Sequence, residues 1–405
     1  MITRGYPLSP SSQNDVIILG AGIAGLLLAS ELSQNCRVLI VEKESRIPER
    51  KYWLTPKACL ELNPEFQHCI DSQYSFLEFI AYDRTRYRCL GDYILWDTQL
   101  LINFLVRQIE SRGGKILKGH EFYSYRSTKH GLVVEASDLE LHTRLLVDCM
   151  GFASPIVFAE DVVRIRGYYF LYGSVIKLKR IPPPICLANV MISEKPKYLE
   201  VFPTRSGEAY AAVLAPADSM RAPDNLQKDF EFIVRQSKYK DYFIEDATPN
   251  RILSGIIPVG YMRKRAVDRI VFYGEAGQVH PAATGACLTR MMRTYRKTAS
   301  FLRAQLESDR LTASDLSQQQ TASEKFNLKF QLCLFDQVLH WKSNAFSDLL
   351  NKMQEMENSL VNSVLFGDVQ IPQVLNQQTL INLLRTRNTF VLTPFVRALL
   401  PQLFI

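Results

Sequence analysis

Three glycines near the start of the chain have a spacing that predicts phosphate binding. Gly20, Gly22 and Gly25 follow a short β-branched run at residues 15–19 and precede a helix-forming stretch at residues 26–33. In such a strand–turn–helix context the first glycine permits a tight turn, the second lets the backbone approach a pyrophosphate, and the third lets the helix pack on the strand. The free amides and the positive dipole end of the helix then favour an anion.

An acidic residue follows the loop at the position that contacts a ribose. A second strand is predicted over residues 37–41, and Glu42 at its end lies about 20 residues past the loop, where a carboxylate can accept both ribose hydroxyls. An acid here disfavours a 2′-phosphate and therefore NADP. This part of the sequence leaves FAD and NAD open. The predicted contacts are Gly20, Gly22, Ile23, Ala24, Gly25, Glu42 and Lys43.

The composition indicates a globular protein without a nucleic-acid or metal signature. The 405 residues are 47% hydrophobic and 22% charged, with a net charge of +7 from scattered basic residues. We therefore expect no nucleic-acid partner. The eight cysteines form no C-x-x-C pair, which predicts reduced thiols in a cytoplasmic protein. The six histidines lack ligand spacing, so no metal site is expected.

The ends of the chain bear on membrane contact. Residues 1–13 lack the apolar core of a signal peptide, and no run reaches about 18 apolar residues, so no spanning helix is predicted. Residues 390–405 are strongly apolar but include Pro394 and Pro401, which argues against a spanning helix. Two interpretations of this segment remain open: it packs on the core, or it makes peripheral contact with a membrane.

The pattern along the rest of the chain predicts an α/β fold in which one domain interrupts another. Strand and helix patterns alternate around a strand-rich, aromatic middle block, and a helical region ends the chain. Buried strands are predicted over 145–151 and 269–274, helices over 94–112, 226–236 and 286–306, a β-meander over 121–143, and helices onward to about residue 387. The predicted domains are a cofactor domain at 14–154 and 259–306, a substrate-binding sheet domain at 155–258, and a helical region at 307–405.

Three segments together resemble the flavoprotein group that contains lycopene cyclases, geranylgeranyl reductases and aromatic hydroxylases. The first is the glycine loop. The second, residues 147–154 (V-D-C-M-G-F-A-S), is similar to the D-A-T-G-F-S segment of plant-type lycopene cyclases. The third and most specific comprises residues 257–260 (I-P-V-G) and 273–285 (Y-G-E-A-G-Q-V-H-P-A-A-T-G), which resemble I-P-M-G-G and G-x-A-x-x-x-V-H-P-x-T-G. The resemblance implies a Rossmann-type, aromatic-hydroxylase-like FAD-binding domain with an inserted antiparallel substrate domain.

The third segment predicts the flavin end of the cofactor site. Backbone N–H groups at Thr284, Gly285 and Ala286 are placed to meet the flavin pyrimidine edge, which becomes negative on reduction. Glu275 takes the position where relatives carry an aspartate near the ribityl chain, although it can equally be a surface acid at a strand end. The other predicted cofactor contacts in this part of the chain are Gly151, Gly274, Ala276 and Pro281.

The chain departs from the family at the catalytic acid. The cyclases carry an F-L-E-E-T strand whose glutamates are implicated in acid chemistry, and the aligned residues 209–214 read A-Y-A-A-V-L. By the same alignment Asp97 replaces an arginine of relatives. The substitute acids are Glu200 and His280. The alternative for Glu200 is a solvent-facing strand residue, and for His280 a packing or hydrogen-bonding role in the turn.

The aromatic middle block predicts an apolar cleft for a lipophilic small molecule. We interpret the chain as an FAD-dependent enzyme that resembles lycopene cyclases and acts on an isoprenoid or polyene-like substrate, by cyclisation or by flavin redox chemistry. One alternative is an FAD-dependent double-bond reductase or monooxygenase with NAD(P)H as external reductant. Another is a non-catalytic flavin- or carotenoid-binding assembly protein.

Overall fold

The computed structural model describes most of the chain. The described residues are 14–47, 52–190, 197–221, 225–244, 251–317, 320–340, 343–375, 393 and 396–398. Their strands are β1 (Asn14–Leu19), β2 (Val38–Glu42), β3 (Trp53–Pro56), β4 (Ile70–Ile80), β5 (Arg86–Trp96), β6 (Lys115–Lys118), β7 (Phe122–Thr128), β8 (Gly131–Ala136), β9 (Leu139–Asp148), β10 (Val163–Lys177), β11 (Ile185–Val190), β12 (Lys197–Pro203), β13 (Glu208–Ala217), β14 (Arg251–Met262), β15 (Ala266–Val267) and β16 (Ile270–Phe272).

The helices concentrate in the cofactor domain and in the C-terminal region. They are α1 (Ile23–Leu32), α2 (Ala58–Glu61), α3 (Thr98–Ser111), α4 (Pro155–Ala159), α5 (Leu226–Arg235), α6 (Cys287–Glu307), α7 (Ala313–Leu316), α8 (Ala322–Leu339), α9 (Ser343–Met353), α10 (Asn358–Leu365) and α11 (Ile371–Leu375). Among the described residues, none of these helices combines the length and apolar character needed to cross a membrane. The segment 390–405, expected to contact the core or a membrane, lies almost wholly outside the described residues.

The first sheet forms the core of the cofactor domain. Its order is β15-β16-β9-β1-β2-β6, and β7 and β8 extend it beside β9. β1 lies between β2 and β9 and is parallel to both. Helices α1, α3 and α6 share one hydrophobic cluster with this sheet. The apolar run predicted as a buried parallel strand is therefore β1, since strands covered on both faces are apolar throughout.

The second sheet has the order β14-β10-β13-β12-β11-β4-β5-β3. Its pairs are antiparallel except β11 with β4. One face packs on α5, and the other packs on α8, α9 and α10. Strands β3, β4 and β5 join this sheet although they fall inside the range 14–154 that we predict for the cofactor domain. The domain boundaries stay a prediction.

Helix α3 begins later than the sequence pattern predicts. Residues 94–96 complete β5, and Trp96 is fully buried. The prediction of helix from Ile94 was wrong for these residues, because a short apolar run does not distinguish a strand from a helix. Asp97 caps α3 by accepting a hydrogen bond from the Leu100 amide at 2.9 Å. The acid at the position of the family's arginine is thus a helix cap.

Candidate functional site

The glycine loop joins β1 to α1 in a geometry that suits a phosphate. Gly20 has φ +97°, and a Cβ there would lie 2.8 Å from the Cys149 carbonyl oxygen. A Cβ on Gly25 would overlap the Gly20 carbonyl oxygen, whereas a Cβ on Gly22 would have no atom within 4 Å. The loop is therefore closely packed at Gly20 and Gly25 and open at Gly22. Helix α1, which begins at Ile23, has no side-chain cap, so its first amides are open to an anion.

Glu42 is held at the end of β2 by backbone amides. Its carboxylate accepts from the Ala21 amide at 2.6 Å and from the Glu44 amide at 3.0 Å, and the residue is 7% exposed. Each oxygen keeps a lone pair for a ribose hydroxyl. The structure thus places the predicted acid beside the glycine loop, while the neighbouring Lys43 is exposed.

Asp148 orients the turn that follows β9. Its carboxylate accepts from the Met150 amide at 3.0 Å and from the Ser154 hydroxyl. Burial raises the pKa of Asp148 to about 6, and these two hydrogen bonds oppose the rise. The side chain was not among the predicted site residues. Its position at the end of a parallel strand, three residues before Gly151, is the signal that identifies it.

The ends of β9 and β16 meet the glycine loop. Gly151 has φ +84°, and a Cβ there would lie 3.5 Å from Glu275 Oε2. Gly274 has φ +70°, and a Cβ there would lie 2.5 Å from Ala24 Cβ. Ala276 is fully buried. The predicted residues of the two strand ends are therefore brought together with the first turn of α1.

The turn predicted to face the flavin uses its amides internally. The Gly285 and Thr284 amides donate to the Pro281 carbonyl at 2.8 and 3.3 Å, and the Ala286 amide donates to Thr284 Oγ1 at 3.4 Å. Helix α6 then begins at Cys287 without a side-chain cap. The open amides therefore lie in the first turn of α6, slightly later than predicted.

A cavity of about 270 Å³ lies between this turn and the inner face of the second sheet. Its walls come from β3, β10, β12 and β14, from the turn and start of α6, and from α8, α9 and α10. Its aromatic lining residues are Tyr52, Trp53, Phe79, Tyr169, Tyr198, Phe202, Phe346 and Phe366. Two acids line it: Glu275, which follows β16 of the first sheet, and Glu200 on β12. An apolar space with few polar groups suits a lipophilic ligand.

Glu200 faces this cavity together with its alternate neighbours Tyr198 and Phe202. The Tyr52 hydroxyl donates a hydrogen bond to the Glu200 carboxylate. The rings of Tyr52 and Tyr210 stack with centroids 5.3 Å apart. Burial raises the pKa of Glu200 to about 7, although the hydrogen bond from Tyr52 lowers it. Such an acid can hold a proton near neutral pH and release it to a bound molecule.

His280 has different surroundings. It is 4% exposed, its Nε2 lies 2.7 Å from the Pro258 carbonyl oxygen, and it is not among the described residues that line the cavity. This contact connects the turn over residues 281–286 to β14. This geometry favours the packing and hydrogen-bonding role that we left open, and a role in proton transfer stays a prediction.

The cavity also contains residues that the sequence did not predict. Tyr52 and its neighbours on β3, and the apolar faces of α8 to α10, contribute to its walls. The spacing of Phe346, Leu349, Leu350 and Met353 on α9 is a signal for a buried helix face. That signal does not identify the surface on which the helix packs.

A sequence profile of lycopene cyclase proteins matches residues 15–361. The chain belongs to this family. A curated relative, the rifampicin monooxygenase of Streptomyces venezuelae, is 24% identical in an alignment of 295 positions that covers 67% of this chain. The chain spans about 60% of the length of that enzyme.

Solved structures share the fold. A geranylgeranyl bacteriochlorophyll reductase-like protein of Thermoplasma acidophilum has a TM-score of 0.64 at 12% identity, covering 94% of this chain and 98% of that one. The halogenase PltM, solved in complex with phloroglucinol and FAD, has a TM-score of 0.65 at 14% identity, covering 94% and 85%. The predicted family and fold class are confirmed. The family match and the FAD complex of that halogenase agree with the prediction of an FAD-dependent enzyme.

Proposed function

We propose that this enzyme transfers a proton from Glu200 to a lipophilic, isoprenoid or polyene-like molecule bound in the cavity beside the flavin site. One observation carries the proposal. An acid whose pKa is raised to about 7 projects into an apolar, aromatic-lined space and is hydrogen-bonded there to Tyr52. Carboxyl groups with a strongly raised pKa that face a cleft cluster at functional sites.

The chemistry expected of this acid is cyclisation without net oxidation. The electron pair of a substrate double bond takes the Glu200 proton to form a C–H bond, which leaves a cation on the neighbouring carbon. A second double bond attacks that carbon to close a ring, and loss of a proton restores neutrality, so the product is an isomer of the substrate. The rings of Tyr52, Tyr198 and Phe202 line the same cavity as Glu200, and aromatic rings stabilise a nearby positive charge.

The position of Glu200 relative to the missing family acids supports this assignment. In the β12–β13 pair, Glu200 lies directly opposite Ala212, which belongs to the strand aligned with the family's glutamates. Residues that are directly opposite in an antiparallel pair present their side chains to the same face of the sheet. An acid on β12 can therefore serve the space that an acid on β13 serves in the cyclases.

The cofactor site fits FAD on the geometry of its own residues. The open face of Gly22, the uncapped starts of α1 and α6, and the Glu42 carboxylate suit a dinucleotide and a flavin edge that becomes negative. When bound, FAD supplies either redox chemistry or, in the reduced state, a fixed negative charge. We propose that the residues holding it are Gly20, Gly22, Ile23, Ala24, Gly25, Glu42, Lys43, Gly151, Gly274, Glu275, Ala276, Pro281, Thr284, Gly285 and Ala286.

A redox reaction is the second candidate. The similarity to a protein named as a monooxygenase supports it, and so does the absence of the family's glutamate pair. The enzyme would then take NAD(P)H as external reductant and act as a double-bond reductase or a monooxygenase. In that case Glu200 would shape the cavity without donating a proton.

The two candidates differ in the mass of the product. The FAD-loaded enzyme, with its flavin reduced by dithionite under nitrogen, would be incubated with a linear polyene, and the product analysed by mass spectrometry. An isomer formed by the wild type and by the control Glu208→Gln on β13, but not by Glu200→Gln, supports cyclisation. A parallel incubation in air, with NAD(P)H in place of dithionite, tests the redox candidate. Oxidation of NAD(P)H or uptake of oxygen that is coupled to substrate and persists in Glu200→Gln contradicts cyclisation and supports the redox candidate.

Location in the cell is also a proposal. We propose a cytoplasmic enzyme whose apolar residues 390–405 contact a membrane surface and draw a lipophilic substrate from it. Sedimentation with liposomes tests this proposal. A chain truncated after residue 389 that sediments with liposomes as well as the full chain would contradict it.

A further inference from the structure

Side-chain hydrogen bonds connect the turn that precedes α6 to the C-terminal helices. Gln331 of α8 accepts a hydrogen bond from the Ala283 amide at 3.1 Å and donates one to the Val364 carbonyl at 2.9 Å. The Thr284 hydroxyl donates to the Leu365 carbonyl at 2.6 Å. Gln331 is 1% exposed. The turn therefore depends on long-range contacts for its position.

Close packing reinforces these hydrogen bonds. Gly367 has φ +66°, and a Cβ there would lie 2.5 Å from Pro281 Cγ, so the segment after α10 lies directly against the turn. From the other side, the Tyr169 hydroxyl on β10 donates to the Ala283 carbonyl at 2.6 Å. The turn is thus held between the second sheet and the C-terminal helices.

The Gln331 amide connects two backbone groups from different parts of the chain. The Val364 carbonyl, in the last turn of α10, accepts from Gln331 and also from the Gly367 amide at 3.4 Å. The Ala283 amide lies in a tight turn next to the cavity and takes Gln331 as its acceptor. Because an unpaired buried polar group is costly, replacing Gln331 by an apolar residue would favour a shift of the turn.

We infer that Gln331 is a positioning residue for the flavin. It fixes the turn over residues 281–286 and, through it, the uncapped start of α6. The C-terminal helices therefore contribute to the affinity and the reduction potential of bound FAD, together with the Rossmann-type sheet. This inference concerns the cofactor site and holds for either candidate reaction.

A matched control lies one helical turn earlier. Asn327 of α8 is 6% exposed, donates to the Gly367 carbonyl at 2.7 Å and accepts from the Val369 amide at 3.2 Å. Like Gln331 it makes two hydrogen bonds to backbone groups, but both are to the segment after α10 and neither is to the turn. Gln331→Met and Asn327→Leu each replace an amide by an apolar side chain of similar length and remove two hydrogen bonds.

The test compares FAD binding and flavin potential in these variants. We expect both to lower the melting temperature of the apoprotein. Only Gln331→Met should raise the Kd of FAD, by roughly tenfold, shift the flavin absorption bands, and make the midpoint potential more negative because the reduced flavin is less stabilised. Wild-type Kd and potential in Gln331→Met, or equal changes in Asn327→Leu, would overturn the inference.

A second variant covers the case in which Gln331→Met does not fold. In Gln331→Glu the ionised carboxylate can accept from the Ala283 amide but repels the Val364 carbonyl oxygen. When the acid is protonated, its O–H can again donate a hydrogen bond to the Val364 carbonyl. We expect weakened FAD binding at alkaline pH that recovers as the pH is lowered. The Kd of the wild type serves as the reference at each pH, and a constant ratio between the two would count against the role.

Discussion

A Glu200→Gln substitution is expected to stabilise the protein at alkaline pH while removing its proton donor. Burial raises the pKa of Glu200 from its ordinary value of 4.5 to about 7. The unfolded chain therefore releases this proton at a lower pH than the folded protein does. In the wild type the free energy of unfolding falls as the pH rises between these two values, and above the folded pKa the loss is complete.

The magnitude follows from the two pKa values, since one pKa unit corresponds to about 1.4 kcal/mol. Glutamine has nearly the same shape, carries no charge and still accepts the hydrogen bond from Tyr52. The stability of Glu200→Gln relative to the wild type should therefore increase by about 2 to 3 kcal/mol between about pH 5 and about pH 8.5. Asp148, whose pKa is about 6, titrates in both proteins and so does not contribute to the difference.

Urea unfolding of the two apoproteins at the two pH values measures this difference. Glu208→Gln, on the neighbouring strand β13 and away from the cavity lining, controls for the loss of one carboxylate. If the difference in unfolding free energy between Glu200→Gln and the wild type is the same at both pH values, the carboxyl is not held as a neutral acid. The assignment of Glu200 as proton donor would then fail as well.

Three further predictions follow from named contacts. Tyr52→Phe removes a hydrogen bond donated to the ionised form of Glu200, so the pKa of Glu200 should rise and the alkaline limit of kcat/KM should move to higher pH; a move to lower pH would refute the pairing. Gly22→Ala should leave the apoprotein's melting temperature unchanged but weaken FAD binding in calorimetric titration, whereas Gly25→Ala, whose Cβ would overlap a backbone oxygen, should lower the melting temperature itself. Asp97→Ala should cost about 1 kcal/mol in urea unfolding through loss of the α3 cap, with an unchanged Kd for FAD.

The cofactor half of the site could be predicted because it depends on local backbone geometry. Gly20 and Gly25 permit conformations and contacts that no other residue allows there, and Glu42 follows its strand at a distance that the βαβ unit sets. The start of α3 shows the limit of such local rules. The run at residues 94–96 is apolar in either kind of element, and only its pairing with β3 and β4 makes it a strand.

The substrate half required contacts between segments that are remote in sequence. Tyr52 and Glu200 are 148 positions apart, and Gln331 reaches Ala283 across 48. No periodicity or spacing connects such pairs, because the sheet order and the packing of the C-terminal helices bring them together. β11 joins β4 in parallel between two antiparallel segments, and this connection closes the cavity around Glu200.

This difference explains how the chain retains the family's cofactor site and departs from its acid. Gly20 and Gly25 are constrained by backbone atoms and Gly22 lies on the open side of the loop, so substitution at these positions alters the fold or the cofactor contact. An acid that faces a cavity needs only to lie on the correct face of the sheet and at the correct position along its strand. Glu200 and Ala212 share both across the β12–β13 pair, so exchange of an acid between them requires no change in the backbone. Family membership therefore predicts where the cofactor binds more reliably than which side chain supplies the proton, and the acid has to be found from the cavity.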